Sequence, residues 1–331
     1  MTRDFGIQMK LGRDFTNLLY PDYLSKEDLE RLKAGEIGVP DMDALVQVKA
    51  KGDILGQIAA AKRYGLDHVE LDGAVPNPYL SMDAEEKRRA REAAEKAGIT
   101  LSLHLPYTYV GGSTCAPHET DRRVAAELMK QYIDFASEIG CIYCNMHPGV
   151  VPFYHAVGKY FDLIRSSLVR TLLELGEYAK ERNVTLLLEN NTAFDGCFFE
   201  PEELCSVVEE VRNQGVDVYF NFDIGHWFTR ADVGKPLPDP PEQIVEEIPD
   251  GLFKELHLND YVPGKRLFHP PLHEQLGPLK RENLIRYAEI VKRKGAELIV
   301  LETAIKTTDQ VLNRDKIIEA ENAFIREIFG M

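Results

Sequence analysis

Side chains able to bind a metal ion end six of the apolar runs in this sequence. Imidazole and carboxylate groups are the ligands that Zn²⁺, Mn²⁺ and Co²⁺ accept. Three carboxylates brought together would repel one another, and a divalent cation is the simplest remedy. If the runs are parallel strands of one barrel, their ends meet, and the sequence predicts a shared metal centre there. The runs LSLHLPY, CNMHPG, TLLLEN, YFNFDIGH, KELHLND and LIVLET contribute His104, His147, Glu189, Asp223, His226, His257 and Glu302.

Each of these residues also has an ordinary structural explanation. A single histidine or carboxylate at a strand end can bond a backbone group or cap a turn. The collective pattern is different, because the chain has nine histidines and four of them fall at or just beyond predicted strand ends. Three strongly apolar runs also end in carboxylates. The pattern as a whole favours a metal centre over separate structural roles.

Eight short β-rich runs alternate with eight helical patterns along the chain. This alternation indicates an α/β fold with a parallel sheet, and eight units predict a closed (β/α)₈ barrel. An open doubly wound sheet is the alternative, but the first predicted strand is followed by LGRDFTN rather than a glycine-rich phosphate turn. The predicted strands are Phe5–Lys10, His68–Asp72, Thr100–Leu105, Ile142–His147, Val184–Glu189, Val218–Asp223, Leu252–Leu258 and Leu298–Glu302. The predicted helices span 54–64, 82–97, 119–139, 157–182, 201–214, 241–249, 280–294 and 309–328.

We expect residues 1–331 to form a single barrel domain, since barrels of this length routinely do. Residues 12–52 separate the first predicted strand from its helix. We interpret this charged stretch as an insertion over the barrel mouth, where it could act as a lid. A second, proline-rich insertion, 231–241, follows the sixth predicted strand.

Composition limits the classes of partner. The 54 acidic and 39 basic side chains give a formal net charge of −15, which disfavours non-specific binding to nucleic acid or to anionic membranes. No apolar run approaches 18 residues, and the first residues, MTRDFGIQMKLGRDF, lack the apolar core of a signal peptide. With an odd number of cysteines, five, we expect a reduced, cytoplasmic protein. A homo-oligomer is compatible with the fold, but nothing in the sequence identifies a contacting face.

The motifs LLLEN, FDIGH, HLND and VLET together resemble those of the xylose-isomerase-like barrel superfamily. They occur in the expected order, and the resemblance covers roughly residues 54–305. The superfamily contains sugar isomerases and epimerases and also endonuclease IV. The two branches imply different sites.

In the isomerase and epimerase branch, the resemblance implies one divalent metal ion, Zn, Mn or Co, held by Glu189, Asp223, His257 and Glu302. Glu189 and Glu302 would then remove and return a proton next to the carbonyl of a sugar, a sugar acid or a sugar phosphate. The resulting enediolate would be stabilised by the metal. His226 would orient the substrate or bind a second metal ion. A dehydratase or lyase would use the same chemistry.

In the endonuclease IV branch, the resemblance implies a zinc phosphodiesterase that binds three metal ions and acts on abasic DNA. One ion would be bound by His104, His147 and Glu189, and a second by the four ligands named above. A third would be bound by His226 and His273. Its further aspartate is replaced by Pro271, so this third site is damaged or rebuilt with His269 or Asp260.

The acidic charge, the replaced aspartate and Glu70 in HVELDG, typical of the isomerases, favour the sugar branch. A metal-binding barrel without catalysis is a third alternative. Several residues are predicted substrate contacts, with an ordinary structural role as the alternative for each. Aromatic side chains after the ligands, Tyr107, Tyr109, Trp227 and Phe228, could form the pocket wall. The predicted substrate-binding set is Glu70, His104, His147, Lys265, Arg266 and Trp227.

Overall fold

Eight parallel strands, each hydrogen-bonded to two neighbours, close into a barrel in the computed structural model, which describes residues 9–151 and 156–331. The predicted (β/α)₈ barrel is therefore confirmed. Around the barrel the strand order is β1-β10-β7-β6-β5-β4-β3-β2, and β8 and β9 form a separate antiparallel hairpin. The strands are β1 Lys10–Asp14, β2 His68–Asp72, β3 Thr100–His104, β4 Cys141–Met146, β5 Thr185–Glu189, β6 Val218–Asp223, β7 Phe253–Leu258, β8 Tyr261–Val262, β9 Leu267–Phe268 and β10 Leu298–Leu301.

The helices follow the predicted pattern with four differences. The predicted helix 241–249 is reduced to a single turn, and the helix 309–328 is split at Asn313. Two helices occur within the predicted insertion, and a short helix, Ile224–Phe228, follows the sixth barrel strand. Helices that end at a left-handed glycine, as α4 does at Gly98, match the prediction closely. The helices are α1 Lys26–Ala34, α2 Val39–Gly52, α3 Ile54–Arg63, α4 Ala84–Ala97, α5 Glu119–Ile139, α6 Lys159–Lys180, α7 Pro201–Asn213, α8 Ile224–Phe228, α9 Gln243–Glu246, α10 Arg281–Lys294, α11 Thr308–Leu312 and α12 Arg314–Phe329.

The first strand differs from its prediction. Residues 5–8 of the predicted strand lie outside the described residues, and β1 runs from Lys10 to Asp14 through the charged sequence KLGRD. Arg13 is fully buried there because its guanidinium donates to Glu321 and Asn322 of α12, at 2.8 Å each. A buried charge is tolerated when it is paired in this way. The ion pair comes from the far end of the chain, so it could not be read from the strand itself.

The insertion consequently begins after Asp14 rather than at residue 12. It contains α1 and α2, and α2 is joined to the rim of the barrel by an ion pair of 2.9 Å between Lys51 Nζ and Asp72 Oδ2. The same ammonium donates to the carbonyl oxygen of Ala74 at 2.7 Å. A role of this segment as a lid stays a prediction.

Every strand of the barrel presents its C-terminal end to the same face, and the side chains that could bind metal meet there. The barrel interior below them is filled, and Gly12 of β1 shows how closely. A Cβ at this position would lie 2.8 Å from the ring of His68, so only glycine leaves room for that imidazole. Within the described residues, no helix combines the length and apolarity that crossing a membrane requires.

Candidate metal centre and cavity

The strand ends place the predicted ligands together. In a parallel barrel these ends share one face, so residues distant in sequence become neighbours. His226 lies in the short helix α8. The backbone N–H of His226 donates to Asp223 Oδ1 at 2.6 Å and so caps the first turn of this helix. The others lie at the final or next position of their strands, or one residue before the end: His104 in β3, His147 after β4, Glu189 in β5, Asp223 in β6, His257 in β7 and Glu302 after β10.

Glu189 is the centre of this arrangement. Its side chain is fully buried, and four imidazoles face its two oxygens. Asn221 donates to its Oε2 at 3.0 Å, and Asn145 donates to the same oxygen. Glu189 is therefore held by neutral amides and turned towards the histidines. The distances from its oxygens are 3.1 Å to His257 Nδ1, 3.3 Å to His226 Nδ1, 3.5 Å to His104 Nε2 and 3.6 Å to His147 Nε2.

The donor atoms form overlapping groups in which all ligand atoms lie within 4.8 Å of one another. Glu189 belongs to two groups and Asp223 to two, so each carboxylate is shared between neighbouring positions. His257 Nδ1 and Glu189 Oε1 are buried and have no hydrogen-bond partner among the described residues. Unpaired buried donor atoms of this type suit a divalent metal ion. The groups are His104, His147 and Glu189; Glu189, Asp223 and His257; Glu70, His257 and Glu302; and Asp223, His226 and His269.

His257 is held from both sides of its ring. Nδ1 lies 3.1 Å from Glu189 Oε2 and 3.1 Å from Glu302 Oε1. Nε2 lies 2.9 Å from Glu70 Oε1 and makes its hydrogen bond to Glu255 Oε1 at 3.1 Å. A proton on Nε2 leaves Nδ1 free to bind metal, which is how ligand histidines are usually oriented. Glu70, predicted to contact substrate, is instead buried behind His257, where its other oxygen accepts from Ser102 at 3.0 Å.

An asparagine missed in the sequence joins two of the carboxylates. Asn259 Nδ2 donates to Asp223 Oδ2 at 2.7 Å and to Glu302 Oε2 at 2.9 Å. The approach depends on Gly225 of the FDIGH motif, since a Cβ there would lie 1.8 Å from Asn259 Oδ1. Gly225 thus leaves the space in which Asn259 of the HLND motif holds the carboxylates of Asp223 and Glu302 in place.

The charges of the site shift several pKa values in opposite directions. Burial alone would lower the pKa of His104, but its hydrogen bond to Glu189 and the charge of that carboxylate raise it to about 10. The pKa of His226 is likewise raised to about 10, by Asp223 and Glu189 against burial. Burial lowers the pKa of His147 to about 4 and raises that of Asp223 to about 7. Protons therefore compete with any metal ion for the nitrogens of these imidazoles.

A cavity of about 440 Å³ opens above the donors. Two parts of its lining differ in the kind of side chain they present. The histidine wall consists of His104, His147, His226, His269 and Glu302. The acidic wall consists of Asp14, Thr16 and Asp72, at the ends of β1 and β2. Because β1 and β2 lie between β10 and β3, the acidic wall stands between Glu302 and His104 in the strand order.

Several predicted substrate contacts lie away from the cavity. Trp227 is 1% exposed, packs against Phe222 and Phe228, and donates from Nε1 to Glu200 at 3.0 Å. Lys265 and Arg266 are exposed in the turn of the β8–β9 hairpin, where solvation stabilises their charges. Of the aromatic side chains predicted as pocket wall, Tyr107 lines the cavity, whereas Tyr109, Trp227 and Phe228 do not.

The predicted third group is rebuilt with a different histidine. His273 lies in a short 3₁₀ helix, Leu272–Glu274, and belongs to none of the donor groups. His269 takes its place beside Asp223 and His226, because the β8–β9 hairpin brings its ring to 5.6 Å from that of His226. Asp260 is engaged elsewhere, since its Oδ1 accepts from the backbone N–H of Tyr261.

The acidic wall was missed altogether in the sequence. Asp14 fell outside the predicted first strand, so its position at a strand end could not be recognised. Asp72 was the last residue of a correctly predicted strand, as Glu189 is, and this signal was available. Burial first, and then the charges of Asp72 and Glu302, raise the pKa of Asp14 to about 8.

Comparison with known proteins agrees with the fold. The family described as xylose isomerase-like TIM barrel matches residues 58–328. No protein of curated function matches the chain in sequence. A D-psicose 3-epimerase from Clostridium cellulolyticum H10, solved with D-tagatose, superposes with a TM-score of 0.67 at 13% identity, over 97% of this chain and 99% of that one.

Two further solved structures have the same architecture. The 3-keto-D-glucoside 4-epimerase YcjR from E. coli has a TM-score of 0.61 at 15% identity, over 97% of this chain and 100% of that one. A xylose isomerase-like protein from Mycobacterium smegmatis, in complex with magnesium, has a TM-score of 0.53 at 16% identity, over 83% and 90%. At such identities the similarity is one of fold.

Proposed function

Because the chain belongs to the xylose isomerase-like TIM barrel family, we propose that it is a divalent-metal-dependent sugar isomerase or epimerase. The observation that carries the proposal is the pair of carboxylates around His257. Glu189 and Glu302 lie 3.1 Å each from the same ring nitrogen, next to a cavity large enough for a small substrate. Structural neighbours named as sugar epimerases support the same class.

The residues that would hold the catalytic metal ion are Glu189, Asp223, His257 and Glu302. A metal ion there would polarise the carbonyl of the substrate and lower the cost of negative charge on the neighbouring oxygen. This set combines one imidazole with three carboxylates, which are ligands that Zn²⁺, Mn²⁺ and Co²⁺ accept.

The two carboxylates differ in access to the cavity. Glu302 lines it, whereas Glu189 is fully buried behind the histidine wall. Burial would raise the pKa of Glu302, but the charge of His257, 3.1 Å away, lowers it instead. Glu302 is then ionised at neutral pH and can accept a proton from the carbon next to the carbonyl. Glu189 acts chiefly as a ligand, and His226, also lining the cavity, orients the substrate.

A second candidate function is hydrolysis of a phosphodiester by several metal ions. The shared carboxylates favour it, since Glu189 and Asp223 each belong to two donor groups and neighbouring metal ions are often bridged in this way. The net charge of −15 and the carboxylates lining the cavity oppose duplex DNA as the substrate. The metal content separates the two functions, with about one ion per chain for the first and two or three for the second.

The test combines metal analysis with isotope exchange. Protein purified without chelator is analysed for metals, reloaded with Mn²⁺, Co²⁺ or Zn²⁺, and incubated with a panel of ketoses in D₂O. We expect deuterium to enter the carbon next to the carbonyl. In metal-replete Glu302→Gln, exchange should fall by about 10²–10⁴-fold, the usual contribution of a general base.

Glu297→Gln is the matched control. Glu297 lies just before β10, at the opposite end of the strand from Glu302, and pairs with Lys254 and Tyr143. This variant should exchange at the wild-type rate. Wild-type exchange in metal-replete Glu302→Gln would refute the role of that carboxylate.

A further inference from the structure

The hydroxyl of Thr16 lies between the two carboxylates of the acidic wall. Thr16 Oγ1 is 2.6 Å from Asp14 Oδ1 and 3.0 Å from Asp72 Oδ2. A hydroxyl has one hydrogen, so Thr16 can donate to only one of them. For both contacts to be hydrogen bonds, one carboxyl group must carry a proton.

Asp72 is the carboxylate whose negative charge is balanced. Its Oδ2 lies 2.9 Å from Lys51 Nζ, and its Oδ1 accepts from the backbone N–H of Ala74 at 2.7 Å. Within residues 9–151 and 156–331 no cation pairs with Asp14, and the charges that act on it, those of Asp72 and Glu302, are both negative. The shared proton is therefore assigned to Asp14.

Asp14 also has an oxygen free for a ligand. Its Oδ1 accepts from the N–H of Thr16 at 2.7 Å and contacts the Thr16 hydroxyl, while its Oδ2 has no hydrogen-bond partner in residues 9–151 and 156–331. Asp14 lines the cavity. A neutral carboxyl group fixed through one oxygen offers the other to a hydroxyl group of a substrate.

The cavity offers little to an anion. Asp14, Asp72, Asp195 and Glu302 all line it, and Lys306 is the one lysine or arginine in the described part of the lining. Lys306 is exposed, and its charge acts on Asp43 of α2. The predicted phosphate contacts, Lys265 and Arg266, lie outside the lining. A phosphate or carboxylate held at the acidic wall would meet the carboxylates there, while the charged imidazoles of His104 and His226 already face carboxylates behind the cavity.

We propose that the acidic wall is a binding site for the hydroxyl groups of an uncharged polyhydroxy substrate, with Asp14 as the accepting residue, and that it excludes phosphorylated and carboxylate-bearing sugars. This inference rests on the proposed function, which makes the substrate a sugar, and it adds that the sugar is uncharged. It assigns Asp14 a role in selecting the substrate, separate from the metal ligands.

Equilibrium binding to the Mn²⁺-loaded protein tests the inference with D-fructose and D-fructose 6-phosphate as probes. Wild type should bind D-fructose at least about tenfold more tightly than the phosphate. Asp14→Ala should weaken D-fructose binding by about tenfold, as expected for one lost hydrogen bond at a buried site. In Asp14→Asn the amide oxygen must face the N–H of Thr16, so an NH₂ group replaces the accepting Oδ2, and D-fructose binding should weaken as in Asp14→Ala.

Asp22→Ala is the matched control, because Asp22 lies on the same insertion and forms a surface ion pair with Arg314. Far-UV circular dichroism establishes that each variant is folded, and Asp14→Ser replaces Asp14→Ala if the latter is not. The inference is overturned if wild type binds the phosphate as tightly as D-fructose, binds no D-fructose, or binds it unchanged after Asp14→Ala or Asp14→Ser.

Isotope exchange separates this failure from failure of the proposed function. Binding of D-fructose that depends on Asp14, without deuterium exchange on any ketose, would support the acidic wall as a sugar-binding site and refute the isomerase activity. Deuterium exchange on phosphorylated ketoses that is unchanged by substitution of Asp14 would support the isomerase and refute the role of the acidic wall in selecting the substrate.

Discussion

The histidine wall and the acidic wall bound the same cavity but balance their charges differently. In the first, imidazoles face Glu302 and the buried Glu189 behind the wall, and the pKa values of His104 and His226 rise to about 10. In the second, Asp14 and Asp72 face each other across a threonine, with one lysine behind them. Under the proposed function, the first wall would lose protons when a metal ion binds, whereas the second would keep its proton.

The comparison teaches that carboxylates at barrel strand ends do not all serve one purpose. A carboxylate that faces several buried imidazoles, as Glu189 does, has partners that can give up protons when a cation binds. A carboxylate that faces another carboxylate is stable only if a proton or a cation separates them. If this distinction holds, metal binding is confined to the donors at and behind the histidine wall, and substitutions in the acidic wall leave it unchanged.

The largest effect is expected from Glu189→Gln. Glu189 belongs to two donor groups, so losing its charge should weaken metal binding at both. We expect metal affinity to fall by more than about 100-fold, which exceeds the usual effect of removing a residue that only hydrogen-bonds a metal ligand. Isotope exchange should be lost. Metal titration with a fluorescent chelator measures the change.

Asp72→Asn is the comparison for that experiment, since it removes a carboxylate from the acidic wall. Its metal affinity should remain within about threefold of wild type. Equal losses in the two variants would show that both walls bind metal and would remove the distinction between them.

A smaller effect is expected from Glu70→Gln. Glu70 lies behind His257, 2.9 Å from Nε2, and helps to fix the ring so that Nδ1 faces the carboxylates. Losing a residue of this kind typically lowers metal affinity by about 10–100-fold. The same titration measures it, with Glu297→Gln as the control. An unchanged affinity would mean that Glu255 alone holds the ring.

The dependence of metal binding on pH should report the histidine wall. Burial would lower the pKa of the proposed ligand His257, but the carboxylates beside it raise it well above its usual value, so a metal ion must displace its proton. The pKa values of His104 and His226 are also raised, to about 10, and a metal ion beside them favours loss of a further proton. Metal affinity should therefore rise with pH between 6 and 9, with about two protons released per ion. Asp223, with a pKa of about 7, adds to the slope below pH 7. Calorimetry in buffers of different ionisation enthalpy counts the protons, and release of none would contradict this assignment.

Most of the fold could be predicted because its signals are local. Apolar runs, helical spacing and terminal glycines placed seven of the eight barrel strands to within one or two residues. The first strand could not be placed, since Arg13 is buried only through its contacts with Glu321 and Asn322 near the other end of the chain. The helices of the insertion were hidden by its charged sequence.

Four residues of the histidine wall were predictable for the same reason, because His104, His147, His226 and Glu302 lie at or just beyond the ends of recognisable strands. The acidic wall depends on where β1 ends and on a threonine between two carboxylates, which sequence spacing does not show. The exchange of His273 for His269 follows from the path of the β8–β9 hairpin. Such a path is set by side-chain contacts, including the edge-to-face contact of Tyr261 with Phe268, 4.8 Å between ring centroids.

The smallest effect is expected from the double substitution Lys265→Ala and Arg266→Ala. Both side chains are exposed in the hairpin turn, and the guanidinium of Arg266 lies over the ring of Phe194, 4.9 Å from its centroid. An exposed contact of this kind contributes about 0.5–1 kcal/mol, so stability should fall only slightly. Because neither residue lines the cavity, binding of D-fructose and of its 6-phosphate should each change by less than about twofold. A selective loss of phosphate binding would restore these residues as a phosphate site and would place an anion-binding region beside the acidic wall.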